Sequence, residues 1–156
     1  MEKNIFIGFL WSPGTDLWDT ILSEINETHK VQNKVMYDFN DEYNIFERCV
    51  LDIYKTDDIA IETVQNIKLN AMRNFSNTFM MFYIKIDNPD YRQKGNGNNI
   101  SRSVEAIKYQ IREKYKSKVK NYEYDIIIHL ADNDVQTKFI EDFMPSYENY
   151  KKKLDL

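Results

Sequence analysis

Two apolar segments constrain the fold of this chain more than any other feature of its sequence. Residues 5–11 read IFIGFLW and stop at the turn residues Ser12-Pro13-Gly14, and residues 78–86 read TFMMFYIKI and stop at Asp87-Asn88-Pro89. An almost unbroken apolar run that ends in turn residues is typical of a strand with both faces buried. The sequence therefore predicts two central strands whose second face is covered by the final helix of the chain or by a partner subunit.

The other segments alternate between strand and helix patterns. Residues 31–39 alternate apolar and polar positions, which predicts a half-exposed strand near an edge of the sheet, and residues 125–129, DIIIH, predict a short last strand. Apolar side chains at helical spacing predict helices from a cap at Thr15 or Asp16 to Asn26, over 41–54, over 58–74 and over 135–144. A further helix is predicted from a cap at Ser101 or Ser103, with Tyr115 on its buried face. The lysines at 151–153 are expected to be frayed.

Two architectures accommodate this order of elements. Alternation of strands with helices is typical of an α/β doubly wound parallel sheet. A ferredoxin-like α+β fold, a four-stranded βαββαβ sheet covered by helices, instead places the first and third strands in the middle. Because those two strands are buried throughout and the second is half-exposed, we predict the ferredoxin-like fold, with the doubly wound sheet as the alternative. Residues 1–156 are expected to form a single domain.

Composition and charge exclude several classes of function. A net charge of −4 argues against a general nucleic-acid binder, and no apolar run reaches the roughly 18 residues of a membrane span. Cys49 is the single cysteine, so the chain has no internal disulfide. The apolar segment 5–11 is too short for a signal peptide. We therefore expect a cytoplasmic protein. Met80, Met81 and Phe82 would face either the core or the partner subunit of a homo-oligomer.

Basic residues are concentrated in segment 92–120. This segment carries nine Lys or Arg against two Glu, a net charge of +7, while the rest of the chain carries −11. A compact cationic patch in an acidic protein is suited to binding a small polyanion such as a nucleotide. A lysine-rich helix face exposed to solvent would show the same pattern of basic residues. Lys108, Arg112 and Lys116 form a stripe at four-residue spacing on the predicted helix. The candidate cations for binding a phosphate are Arg92, Lys94, Arg102, Lys108 and Arg112.

His129 is the candidate catalytic residue. It stands where an isoleucine-rich strand ends and the polar turn Asp132-Asn133-Asp134 begins. An imidazole at that position can act as a nucleophile, a proton carrier or a metal ligand, and a strand end would hold it facing a cleft. The alternative is a structural histidine that bonds a backbone carbonyl. His29, among polar residues, is expected at the surface.

Three further features bear on an anionic ligand. The segment 94–99, KGNGNN, precedes the helix start at Ser101 and either holds an anion through backbone N–H groups or is a mobile surface loop. The carboxylates of Asp38, Asp87 and Asp132 at strand ends either bind a Mg²⁺ ion that accompanies a nucleotide or only form turns. Tyr91, in a polar loop, is able to stack on a base.

Parts of the chain resemble nucleoside diphosphate kinases. Ile111-Arg112, followed by DIIIHLADN at 125–133 and an amphipathic helix, is similar to the Ile-Arg pair, short strand and His-Gly-Ser-Asp sequence of that family. The opening strand, proline-containing turn and helix are similar as well. The resemblance implies a ferredoxin-like core and a histidine that accepts the γ-phosphate of one nucleotide and passes it to another. It also implies that His129 accepts the phosphate, that Arg112 contacts it, and that Asp132 is the aspartate three residues later.

The chain departs from that family pattern at several positions. Ile126 stands where the family has asparagine, Leu130 and Ala131 where it has glycine and serine, and Ser12 where it has lysine. The interval from Arg112 to His129 is longer than usual, and residues 57–74 have no counterpart. We predict a protein that binds a nucleotide or another phosphorylated small molecule, and foremost a diverged phosphotransferase that uses His129. The alternatives are a non-catalytic nucleotide-sensing module and an α/β nucleotide-dependent transferase.

Overall fold

The two apolar runs form adjacent strands at the centre of an antiparallel sheet. The computed structural model describes residues 4–57, 59–95, 98–120, 122 and 125–152. In it, β1 (Ile5–Trp11) pairs with β3 (Thr78–Lys85), from Ile5 opposite Lys85 to Trp11 opposite Phe79. All residues of β1 after Ile5 are buried. The prediction of two central strands, which rested on their apolar character, is confirmed.

The other strands complete a sheet in the order β6–β1–β3–β2–β7. In this order β6 (Ile128–Leu130) pairs with β1, β2 (Lys30–Asp38) pairs with β3, and β7 (Lys151–Lys152) pairs with β2. A separate hairpin joins β4 (Tyr91–Gln93) to β5 (Asn99–Ser101). Every strand pairing in the described ranges is antiparallel, and the first and third strands lie in the middle, so the ferredoxin-like α+β prediction is confirmed. A doubly wound sheet needs parallel neighbours, and that alternative is therefore wrong.

The helices lie close to their predicted positions, with one late start. They are α1 (Trp18–Asn26), α2 (Tyr43–Ile53), α3 (Ile61–Thr63), α4 (Leu69–Met72), α5 (Arg102–Tyr115) and α6 (Asp134–Phe143). Ser101 caps α5 as predicted, since its Oγ accepts a hydrogen bond of 3.2 Å from the Val104 N–H. α1 starts later than predicted, because Ser12–Leu17 form a 3-10 segment with a non-helical Gly14 and no side-chain cap precedes Trp18. None of the helices in the described ranges is long and apolar enough to cross a membrane.

The predicted helix over 58–74 contains a π-helical turn, Val64–Lys68, between α3 and α4. Such a turn closes its hydrogen bonds five residues apart and often marks a functional position. Val64, Leu69 and Met72 are at most 1% exposed and pack in the core. Lys68 lies on the same buried side of the helix and is only 2% exposed.

An aromatic cluster forms the core on one face of the sheet. The Phe79 ring lies 5.3 Å from Phe9, 5.7 Å from Trp11 and 5.2 Å from Tyr37, measured between centroids. Each such pair stabilises the fold by about 0.5–1.5 kcal/mol beyond its buried area. The segment 80–82 belongs to the chain's own core, since its three side chains are at most 7% exposed.

The β2 side of the sheet is more exposed and less regular. Its pairing with β3 shifts register between Gln32 and Val35, where Asn33 has a φ of 55°. Such a bulge is tolerated at Asn, which adopts left-handed backbone more readily than most residues. Lys151 and Lys152 pair with β2 rather than fray, so that prediction is wrong for those two residues, and Lys153 lies outside the described residues.

Candidate functional site

His129 lies in β6 with its imidazole packed inside the protein. It pairs with Phe9 of β1, and the two rings lie 6.4 Å apart at an angle of 23°. Tyr54, which follows α2, also packs against the imidazole with a centroid distance of 4.4 Å. The residue is 3% exposed, so the expectation that the imidazole faces a cleft is wrong. The reason is the packing of Tyr54, a residue distant in sequence, over the end of β6.

Burial keeps the His129 imidazole in its neutral form. Desolvation is the largest cause and holds the pKa of His129 well below its ordinary value. Lys108, Lys68 and Arg112 lower it further by charge repulsion, and Asp132 opposes them. The ring is therefore neutral at pH 7, with a free lone pair on one nitrogen.

Asp132, three residues after His129, is clamped by two lysines. Its side chain is 2% exposed, and its two carboxylate oxygens lie 2.6 Å from Lys94 Nζ and 3.2 Å from Lys108 Nζ. Gln136 Nε2 donates to the same carboxylate at 3.3 Å, and the Asp132 N–H donates to Gln136 Oε1 at 2.9 Å. Asn133 fixes this geometry, because its side chain caps α6. The structure thus brings together three of the predicted binding residues, Lys94, Lys108 and Asp132.

Arg112 joins α5 to the segment that leads into β6. Its Nη2 donates to the Ile128 carbonyl at 3.0 Å, and its Nη1 lies 3.2 Å from Asp125 Oδ2. The Nε of the same guanidinium is buried without a hydrogen-bond partner in the described residues. A buried donor without an acceptor is costly, so this end of the guanidinium is held in place by the packing around it rather than by a hydrogen bond.

The other two predicted cations do not bond the Asp132 carboxylate in the described contacts. Arg92 forms two parallel hydrogen bonds of 2.7 Å with Glu105, which is a bidentate ion pair. Arg102, the first residue of α5, is exposed. Within segment 94–99 the Lys94 N–H donates to the Asn98 carbonyl at 2.7 Å, and Asn96 and Gly97 lie outside the described residues.

A surface cleft of about 440 Å³ runs along α5, and we call it the α5 cleft. It is lined by Ile100, Glu105, Lys108, Tyr109, Arg112, Glu113, Lys116, Tyr122 and Asp125. Three cations, three carboxylates and two tyrosines therefore face the same space. His129 is not among the lining residues. Lys108 and Arg112 do line the cleft, and their charges also lower the pKa of the His129 imidazole.

Lys68 and Tyr54 are part of this region, and sequence reasoning missed both. Lys68 Nζ donates to the Tyr54 hydroxyl at 3.2 Å and to the Asp125 carbonyl at 3.0 Å. Burial, followed by repulsion from Arg112, lowers the pKa of Lys68 to about 7. A signal for Lys68 is its position in the apolar stripe of Val64 and Met72, four residues from each.

The carboxylates considered for Mg²⁺ do not form a common site. Asp38 lies opposite Thr78 at the start of β3, Asp87 follows the end of the same strand, and Asp132 is bound by lysines. In the parts of the chain that the structure describes, no group of three or more His, Cys, Asp or Glu side chains is placed to hold a metal. Tyr91 is 41% exposed, and its ring lies 6.4 Å from Phe6.

Comparison with solved structures supports the fold. The chain is similar to the nucleoside-diphosphate kinase of Borrelia burgdorferi, solved as a transition-state mimic with bound vanadate and ADP. The TM-score is 0.50 at 15% identity, over 97% of this chain and 92% of the kinase chain. No protein-family model and no curated protein matches this chain. The chain is thus a ferredoxin-like α+β protein with the architecture of a nucleoside diphosphate kinase, and the distant resemblance inferred from its sequence is confirmed at the level of the fold.

Proposed function

We propose that this chain binds a phosphorylated small molecule, of the nucleotide class, in the α5 cleft. The observation that carries the proposal is the row of Lys108, Arg112 and Lys116 along the cleft, four residues apart on α5 and its 3-10 extension. Cations ordered on one helix face provide the charge and hydrogen-bond donors that a phosphate requires. The volume of about 440 Å³ is within the range of small-molecule sites.

Two tyrosines favour a nucleotide over a phosphate without an aromatic group. Tyr109 and Tyr122 line the same cleft as the three cations, and Tyr109 is 69% exposed. Stacking of a base on an aromatic side chain contributes about 1–3 kcal/mol. A nucleotide would therefore use both the charged and the aromatic parts of the cleft.

Carboxylates order the cations before a ligand arrives. Glu113 pairs with Lys116 at 2.8 Å, and Asp125 pairs with Arg112 at 3.2 Å. Partly exposed ion pairs of this kind contribute only about 0–1 kcal/mol, so a phosphate is able to replace the carboxylates at low cost. We expect an affinity that weakens as salt concentration rises.

Binding without catalysis is the function we favour. The imidazole of His129 is buried against Phe9 and Tyr54, and His129 is not among the described residues that line the α5 cleft. Ile126, Leu130 and Ala131 also replace the polar and small residues that surround the phosphate-accepting histidine in the resembled family. These features support a nucleotide-sensing or regulatory module.

Phosphotransfer through His129 is the second candidate, favoured by its neutral imidazole next to three cations. In that reaction an imidazole nitrogen would bond to the γ-phosphorus while the bond to the β–γ bridging oxygen breaks, and a nucleoside diphosphate would leave. The ring would first have to leave its contact with Tyr54. Any Mg²⁺ would enter bound to the nucleotide phosphates, because Asp38, Asp87 and Asp132 offer no shared site.

Calorimetric titration with ADP, adenosine and inorganic phosphate tests the binding proposal. We expect ADP to bind more tightly than either fragment, and Lys116→Gln to weaken ADP binding by about three- to tenfold, because a partly exposed charge contact contributes roughly 1 kcal/mol. Lys118→Gln is the matched control, since it removes the same charge two residues away and outside the cleft. Equal affinity for ADP and adenosine would contradict the role of the phosphate.

Radiolabelled ATP separates the two candidate functions. After incubation with ATP labelled at the γ-phosphate, a binding module retains no covalent label. A phosphotransferase would retain acid-labile label that disappears in His129→Gln.

A further inference from the structure

Lys68 is a buried titratable group that the proposed binding site does not itself use. Its Nζ donates to the Tyr54 hydroxyl at 3.2 Å and to the Asp125 carbonyl at 3.0 Å, and it lies 4.7 Å from the centroid of the Tyr54 ring. With 2% exposure, it is shielded from bulk solvent. Lys68 is the last residue of the π turn and lies on the same buried side as Val64.

Charged and titratable groups face this amine from each element packed around it. Among the residues that the structure describes, they include Tyr54 and Asp57 after α2, Lys108 and Arg112 in α5, Asp125 before β6, and His129 in β6. Lys108 and Arg112 disfavour the ammonium form, whereas Asp57 and Asp125 favour it. Together with burial, which is the largest cause, they bring the pKa of Lys68 to about 7.

Asp125 connects Lys68 to the α5 cleft. Its carbonyl accepts the hydrogen bond from Lys68, while its carboxylate pairs with Arg112 at 3.2 Å and lines the cleft. A phosphate bound to Arg112 and Lys108 would offset the two positive charges that repel the ammonium. Negative charge at that position therefore favours the protonated form of Lys68.

We propose that binding of a phosphate group in the α5 cleft is coupled to uptake of a proton by the Lys68 amine. The inference rests on the proposed function, which supplies the anion. Solvent supplies the proton, which adds to the nitrogen lone pair, so the amine becomes an ammonium and the charge of the protein rises by one. By linkage, the affinity for phosphate falls as the pH rises above neutrality.

Calorimetric titration with ADP in buffers of different ionisation enthalpy measures this uptake directly. We expect uptake to be near zero at about pH 6, where the amine is already protonated, and to increase towards about pH 8, with one proton per ADP as its upper limit. Lys68→Met should abolish the uptake, because it replaces the amine with an apolar chain of similar length. Ionisation of ADP itself contributes equally to both proteins and cancels in the comparison. Lys118→Met, an exposed control with the same change of charge, should retain the uptake.

The outcomes separate the inference from the function on which it rests. Equal proton uptake by the wild type and Lys68→Met would overturn the coupling and leave nucleotide binding intact. Absence of ADP binding to the wild type would overturn both. If Lys68→Met does not fold, an NMR titration of the Lys68 Cε resonance in the wild type tests the proposal instead. The pH at the midpoint of this titration should rise when ADP is added. An unchanged midpoint would overturn the proposal.

Discussion

The β6 side and the β2 side of the sheet differ in where their charged groups lie. Near β6, the Asp132 carboxylate is almost fully buried and binds two lysines at 2.6 and 3.2 Å. On the β2 side, Lys151 is 39% exposed and lies 3.6 Å from Glu148. Removing one member of a buried ion pair lowers the stability of a protein far more than removing one member of an exposed pair. We therefore expect the loss of a charged partner to be costly near β6 and cheap near β2. The comparison indicates that residues of the candidate site near β6 also stabilise the fold, whereas the charged residues near β2 contribute little to stability.

The largest effect is expected from Asp132→Asn. The change leaves the Lys94 and Lys108 ammonium groups beside each other without their shared carboxylate, which should lower the free energy of unfolding by about 3–5 kcal/mol. Urea denaturation measures the loss. Asp142→Asn, which removes the partner of Lys138 in an exposed pair, should change stability by less than about 0.5 kcal/mol. Similar losses in the two variants would contradict the contrast between buried and exposed charges.

Gly8→Ala tests how closely β6 is packed against the central strands. A Cβ at Gly8 would contact the Leu130 side chain and would lie 2.7 Å from Phe82 Cζ, so we expect a loss of about 1–3 kcal/mol from overpacking. Gly14→Ala is the control, because a Cβ there meets no atom within 4 Å. Thermal unfolding of both variants checks the prediction, and a Gly8→Ala protein as stable as the control would show that this contact relaxes freely.

His129 should make the protein less stable in acid. Its folded pKa is depressed, so the unfolded chain takes up a proton below about pH 6.5 that the folded imidazole does not. The free energy of unfolding therefore falls as the pH drops, by at most about 1.4 kcal/mol per pH unit for one proton. Urea midpoints measured from pH 7 to acid should show a shallower fall in His129→Phe than in the wild type. His29→Gln, at a less buried histidine, should keep most of the wild-type slope.

The smallest effect is expected from removal of the residues after Tyr150. This truncation deletes β7, whose two exposed lysines pair with Met36 and Tyr37 at the edge of β2. We expect a loss of about 1 kcal/mol or less, because solvent replaces these edge hydrogen bonds. Hydrogen exchange at β2 checks the prediction, and a loss of protection that spreads to β3 would show that the β2 side is more cooperative than its exposure indicates.

The order of β6, β1, β3 and β2 was predictable because burial and sequence pattern agree at each of these four strands, whereas β7 was not predicted. Segment 5–11 is apolar except at Gly8 and lies between two neighbouring strands, whereas segment 31–39 alternates and lies outside the central pair. The start of α5 was predictable for a local reason, since Ser101 bonds a backbone N–H three residues later.

The surroundings of His129 were not predictable, because they come from distant parts of the chain. Tyr54 and Lys68 reach β6 from α2 and from the π turn, and no local pattern relates those segments to residue 129. The pairing of cations with carboxylates was also not predictable from the sequence. A charge count identifies segment 92–120 as basic, but it does not show that Arg92 pairs with Glu105. Sequence reasoning therefore located the cationic region and left its internal contacts open.

The π turn at Val64–Lys68 has a consequence for how this segment tolerates insertions and deletions. A π turn holds one residue more than the α-helical turn that would span the same distance, and each residue of an α-helix rotates the chain by about 100°. Loss of a single residue from 65–67 would close this turn into a regular helix and leave the buried faces of α3 and α4 aligned. A deletion within a regular turn of α2 or α5 would instead rotate the residues before it by about 100° relative to those after it. We therefore expect segment 64–68 to accept the loss of one residue more readily than α2 or α5.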